Sequence, residues 1–194
     1  METIDLVEQG IAFGRSRIAG IGDTPLDAPT PCADWNLRQL VNHTVNAAAT
    51  IAEVLSSDGE HDAWGPQARM PQEMADTDTS WPNPVEHYDE VTSVIIRVAR
   101  NALPDQTFLQ GGRRQPAIAL ARAVTFDSVV HGWDIAVATG QDPTIPTEIA
   151  EAYFEFAAPI AELEMPVAVF APRIEVPASA SPTDRLVALL GRQP

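Results

Sequence analysis

Two histidines and an aspartate carry the most chemical meaning in this chain of 194 residues. His43 stands in LVNHTV, and Asp127 and His131 stand in FDSVVHGWD. Residues i and i+4 of an α-helix share a face, which would set the Cβ atoms of Asp127 and His131 about 6 Å apart. Two imidazoles and one carboxylate suit a hard or borderline cation, and three protein ligands leave positions open for a substrate. A buried carboxylate is costly without a partner, so Asp127 must be paired or bind a cation. The alternative to a metal is an Asp–His hydrogen bond that only fixes helix packing. His43 joins the pair only if its helix packs beside theirs; alone it reads as a core or rim histidine.

The neighbouring residues have competing readings. Asp134 falls with Asp127 and His131 in a wedge of roughly 60° at about 100° per residue. It either orients an imidazole, fixing its tautomer, or pairs with an arginine, and the arginine role is slightly favoured. Cys32 could be a nucleophile but has no histidine near it in sequence, so a structural thiol is preferred. Trp35 and Trp133 read as core. Arg113 and Arg114 could meet an anionic substrate, but a solvated pair is the commoner arrangement. His61 and His87 read as surface residues.

The elements that must position these groups follow from hydrophobic spacing. A first helix is expected over 5–20, weakened by Gly10 and Gly14. The stretch GDTPLDAPTPCADWN reads as a loop. A second helix, capped by Asn36 or Asp34, should end near Ser56–Gly59, with Leu37, Leu40, Val41, Thr44, Ala48, Ile51 and Leu55 on one face. Residues 57–83, with Trp64 and Trp81, read as a long, partly ordered connection of the kind that often serves as a lid. A third helix covers 84–102, opened by Pro84. DQTFLQGGRRQP holds a Gly-Gly turn and reads as a small hairpin. A fourth helix starts at Pro116, is apolar nearly all round and stops at Gly140, so it should be central. A fifth runs over 147–164, interrupted by Pro159. An extended tail and a short helix from Ser181-Pro182 to Leu190 follow.

Composition narrows the function classes. Hydrophobic residues make up 45% and charged residues 20%, ordinary for a globular protein. The length fits one domain, or one domain plus a small appendage. Net charge is −15, and all 12 basic residues are arginine. No basic stripe is present for nucleic acid and no polybasic patch for a membrane. Arginine without lysine, beside abundant Ala, Pro and Asp, points to a GC-rich coding genome. A single cysteine rules out an internal disulfide and a cysteine metal knuckle. No leader-like segment or bilayer-spanning run is visible, so a cytoplasmic location is expected.

Three stretches together resemble a known family: TPCADWNLRQLVNHTV (30–45), FDSVVHGWDIAVATGQDP (126–143) and VPASASPTDRLVALLGRQP (176–194). They are similar to the actinobacterial DinB-like family related to the mycothiol-dependent maleylpyruvate isomerase metal-binding domain. The LLGRQP ending resembles one subgroup of it. The resemblance implies an all-α, DinB-like four-helix bundle. The expected organisation is one domain over 1–194, with a small extended and helical tail from about 167. It implies His43, Asp127 and His131 as metal ligands, usually for zinc and sometimes nickel. Asp127 stands where the family typically has a glutamate, one methylene longer. Mycothiol is implied as thiol cosubstrate, and homodimers are common among such bundles. The isomerase relative carries a further C-terminal domain, so maleylpyruvate isomerisation itself is not transferred.

These readings lead to a divalent-metal-binding bundle acting as a thiol-dependent transferase or isomerase on a small electrophile. A non-catalytic bundle that has lost its metal and binds a small ligand or partner is one alternative. A metal-dependent hydrolase on the same ligands is another.

Overall fold

The computed structural model describes residues 2–62, 65, 69–78, 81–103, 106–161 and 170–194. Trp64, and the ends of the expected fifth helix and extended tail at 162–164 and 167–169, lie outside the described residues. The chain is all-α. The described residues form seven helices and a small two-stranded sheet. They fall into two compact units, Met1–Gln141 and Asp142–Pro194. No helix among them is long and apolar enough to cross a membrane.

The first unit is a bundle. In chain order it holds α1 (Thr3–Ala19), α2 (Leu37–Ser56), α3 (Pro71–Asp76), α4 (Pro84–Asn101), β1 (Thr107–Gln110), β2 (Arg113–Pro116) and α5 (Ala117–Thr139). The long helices α1, α2, α4 and α5 form the four-helix core. Helix α5 packs on all three of the others, which is why its sequence has no polar face. Leu120, Ala121, Val129, Ile135 and Ala136 are all fully buried. Gly140, at φ 68°, ends the helix in the left-handed conformation.

Glycine in α1 costs helix propensity but permits a close crossing. A Cβ on Gly14 would stand 3.0 Å from the Ser128 carbonyl oxygen, and one on Gly132 would stand 3.0 Å from the Phe13 ring. The two glycines therefore let α1 approach the part of α5 that carries the candidate site. Helix α2 starts at a capping box: the Asn36 side chain accepts from Gln39 N, and the Gln39 side chain accepts from Asn36 N. That box sets the rotation of α2 two turns before His43. The expected hairpin is present, with Gln110 paired to Arg113 across Gly111-Gly112, whose φ angles are 60° and 74°.

The 57–83 connection departs from its reading. It contains α3, started by Pro71 and laid against α2 with Met74 and Ala75 buried. A six-residue helix has too few internal hydrogen bonds to stand alone. Asn42 donates to the Ala75 carbonyl at 3.1 Å, and Asn46 donates to those of Met74 and Thr77 at 2.8 and 2.9 Å. Two buried amides on α2 thus satisfy the carbonyls at the end of α3.

The second unit holds α6 (Thr147–Ala161) and α7 (Pro182–Leu189), packed on each other. The expected interruption at Pro159 is absent, and α6 continues through it to Ala161. Pro159 removes one backbone donor from the helix, and the helical path is kept across it. Ser181 caps α7 through Asp184 N, and the Thr183 hydroxyl bonds both backbone groups of Ile145.

Candidate metal centre

Helix α2 delivers His43, and α5 delivers Asp127 and His131. One donor atom from each lies within 4.8 Å of the others. Asp127 Oδ1 is 3.4 Å from His43 Nε2 and 3.4 Å from His131 Nε2. A charge-assisted N–H···O bond is shorter, about 2.7–2.9 Å. Zinc bonds of ~2.0–2.2 Å in a tetrahedron put neighbouring donors about 3.4 Å apart. The observed spacing is that of a tetrahedral edge. Asp127 Oδ2 is enclosed and has no hydrogen-bond partner among the described residues. Such an atom carries a desolvation cost that a cation offsets.

Each imidazole is held by its far nitrogen. His131 Nδ1 lies 3.0 Å from Asp134 Oδ2, and His43 Nδ1 lies 3.4 Å from the Pro71 carbonyl. Neutral rings donating through Nδ1 would turn both Nε2 lone pairs toward Asp127. Asp134 therefore takes the imidazole-orienting alternative. It is wholly buried, His43 and His131 are 6% and 7% exposed, and the Asp127 side chain keeps 29%. Solvent reaches the cluster from the Asp127 side.

Sequence reasoning missed the cover. Trp35, read as core, is half-buried, with its ring centroid 4.4 Å from that of His43 and 5.7 Å from that of His131. Its indole N–H donates to Gln72 on α3 at 2.9 Å, and Gln72 donates to Asp76. The loop before α2 is fastened by Leu37 N to Ala28 O and by the Thr30 hydroxyl to Trp35 O. The available signal was the buried polar ridge Asn42, His43, Asn46 and Thr50 on α2, which implies a covering segment rich in free carbonyls. Cys32, which has no histidine near it in sequence, has its sulfur within 4.8 Å of His131 and Asp134 donor atoms. Trp133 is buried as expected, and Arg113 and Arg114 are exposed, with Arg114 paired to Glu60. His61 is exposed and His87 half-buried, and neither joins the cluster.

The charges are strongly coupled. For Asp127, burial alone would raise the pKa, but the adjacent His131 and His43 charges and their hydrogen bonds hold it well below the usual carboxylate range. For His131, burial opposes the imidazolium, but the Asp127 charge and the hydrogen bonds of Asp127 and Asp134 outweigh it and raise the pKa to about 9. At pH 7 the metal-free cluster is carboxylate plus imidazolium. A raised pKa stabilises the fold fully below the unfolded value, and that contribution fades as pH rises through about 9. The metal-free protein should therefore lose stability between about pH 6.5 and 9, seen as a falling urea midpoint in chelator. Metal binding must displace the His131 proton, so zinc affinity should rise about tenfold per pH unit across that window and level off above it. A midpoint and an affinity both flat over this range would contradict the charge state.

An all-helical bundle with a His–Asp–His cluster between two of its helices defines a class of metal-site bundle proteins. Residues 7–136 match the family described as the mycothiol maleylpyruvate isomerase N-terminal domain, and the chain belongs to that family. The match spans the whole site. Similar proteins include two uncharacterized proteins of Mycobacterium tuberculosis, from strains CDC 1551 / Oshkosh and ATCC 25618 / H37Rv. Each is 26% identical over 185 residues, covering 90% of this chain and 89% of the relative. No solved structure matches the chain.

Proposed function

We propose that the chain binds one divalent metal, zinc or nickel, through His43, Asp127 and His131, and uses mycothiol or a similar small thiol in a transfer or isomerisation on a small electrophile. The observation that carries this reading is the Asp127 oxygen set 3.4 Å from both imidazole nitrogens. The aspartate is one methylene shorter than the glutamate usual in this family, yet it reaches between the two rings. That reach supports a metal centre over a bundle that has lost its metal.

A bound metal would supply Lewis acidity that favours the thiolate form of a thiol at neutral pH. The chain's residues do the rest. Asp134 and the Pro71 carbonyl fix the two rings. Trp35 and α3 shield one side from water, and the partly exposed Asp127 edge leaves room for thiol and electrophile. A cytoplasmic setting suits this chemistry because small thiols are kept reduced there.

The test uses the Cys32→Ser chain, in which any thiolate signal must come from added thiol. After dialysis against zinc, mass spectrometry should find close to one metal per chain. After cobalt replacement, added mycothiol should produce a thiolate-to-cobalt charge-transfer band. Absence of metal would overturn the centre; metal without the band would overturn the thiol role. Turnover without thiol would move the assignment to a hydrolase.

A further inference from the structure

The first centre leaves Cys32 unused. It lies in the loop before α2, half-buried, and its carbonyl accepts from Trp35 N at 2.9 Å and from the Thr30 hydroxyl at 3.1 Å. Its sulfur, a ring nitrogen of His131 and a carboxylate oxygen of Asp134 all lie within 4.8 Å of one another. We propose that Cys32, His131 and Asp134 form a second, softer metal position that shares His131 with the first and takes a thiophilic divalent cation such as cadmium or zinc.

Three features support it. The donors are a sulfur, an imidazole and a carboxylate, a combination that favours zinc and softer ions over magnesium or calcium. A thiolate and a carboxylate together balance one divalent charge. The imidazole of His131 also stands between the two carboxylates, with Asp127 at 3.4 Å from Nε2 and Asp134 at 3.0 Å from Nδ1. A cation at one position leaves the other ring nitrogen carrying its proton, so the two positions are alternatives for a single ion. Binding at the second releases the Cys32 thiol proton and one His131 ring proton to the buffer and forms one bond to the metal from each of the sulfur, the ring nitrogen and the carboxylate oxygen, with no change of oxidation state. Cys32 is half-buried and Asp134 wholly buried, so the cysteine lies nearer solvent than the carboxylate.

The position shares His131 with the proposed catalytic centre but needs neither His43 nor Asp127, so single variants separate the two. Equimolar cadmium should give a near-ultraviolet thiolate-to-cadmium band in wild type and in His43→Ala. Cys32→Ser should lack it, and Asp134→Asn should need at least about tenfold more cadmium, as for loss of a partner that orients or ligates. In wild type, needing no variant, cadmium should slow the reaction of the only cysteine with a thiol-specific disulfide reagent about tenfold or more, because a coordinated thiolate is withdrawn from attack. No band in either wild type or His43→Ala, or an unchanged reaction rate, would overturn the second position. A cadmium band in a Cys32-intact protein whose Cys32→Ser form holds no zinc would defeat the first centre and keep this one.

Discussion

Asp127→Asn should bind zinc at least about 100-fold more weakly than wild type. Removing a group that merely orients a ligand typically costs 10–100-fold, and here a direct, charged donor is lost. The substitution keeps shape and volume, so the cost reports charge and donor strength, not packing. Asp127 is the only carboxylate that faces both Nε2 atoms among the described residues. It also contributes the largest favourable influence on the His131 imidazolium, so the amide should bring the His131 pKa down from about 9. Competition with a chromophoric chelator measures the first effect, and histidine proton resonances in the metal-free protein measure the second. Zinc affinity within threefold of wild type would place the cation elsewhere. To keep the Cys32 position from masking the loss, the comparison belongs in the Cys32→Ser background.

The second large effect belongs to His131→Ala. This variant should hold no zinc and should be destabilised by about 3 kcal/mol even in chelator, the scale for breaking a buried ion pair. Asp134 has no exposure, and the variant takes the imidazole away from it at 3.0 Å. His43→Ala, by contrast, should lose first-centre zinc with a smaller change in metal-free stability, because its far nitrogen meets a neutral backbone carbonyl at 3.4 Å rather than a buried carboxylate. Urea unfolding of both variants in chelator gives the comparison. Equal destabilisation would mean that the Asp134–His131 contact carries no special energy.

Much of the bundle was readable from residue types in order. The four long helices follow from apolar spacing, from the Asn36 or Asp34 cap at one end of α2 and from Gly140 at the end of α5. The hairpin follows from Gly111-Gly112, since only residues tolerant of positive φ close a two-residue turn of this hand. Helix α3 was not readable. Six residues carry little periodic signal, and its carbonyls are satisfied by Asn42 and Asn46, far away in sequence. The continuation of α6 through Pro159 was missed because a proline removes a backbone donor and crowds the preceding turn, so by local chemistry it reads as a break.

The site divides along the same line. The sequence by itself determined that Asp127, His131 and Asp134 share one face of a helix, because the α-helical repeat fixes i, i+4 and i+7 whatever packs around them. It also determined the donor chemistry, since two imidazoles and a carboxylate have the same affinities in any fold. Only the tertiary structure decided that His43 meets them, that Trp35 and α3 cover the rings, and that the Cys32 sulfur comes within 4.8 Å of His131 and Asp134 donor atoms. Those contacts join residues far apart in the chain, and helix crossings such as the one at Gly14 and Gly132 fix them through packing that no local pattern encodes.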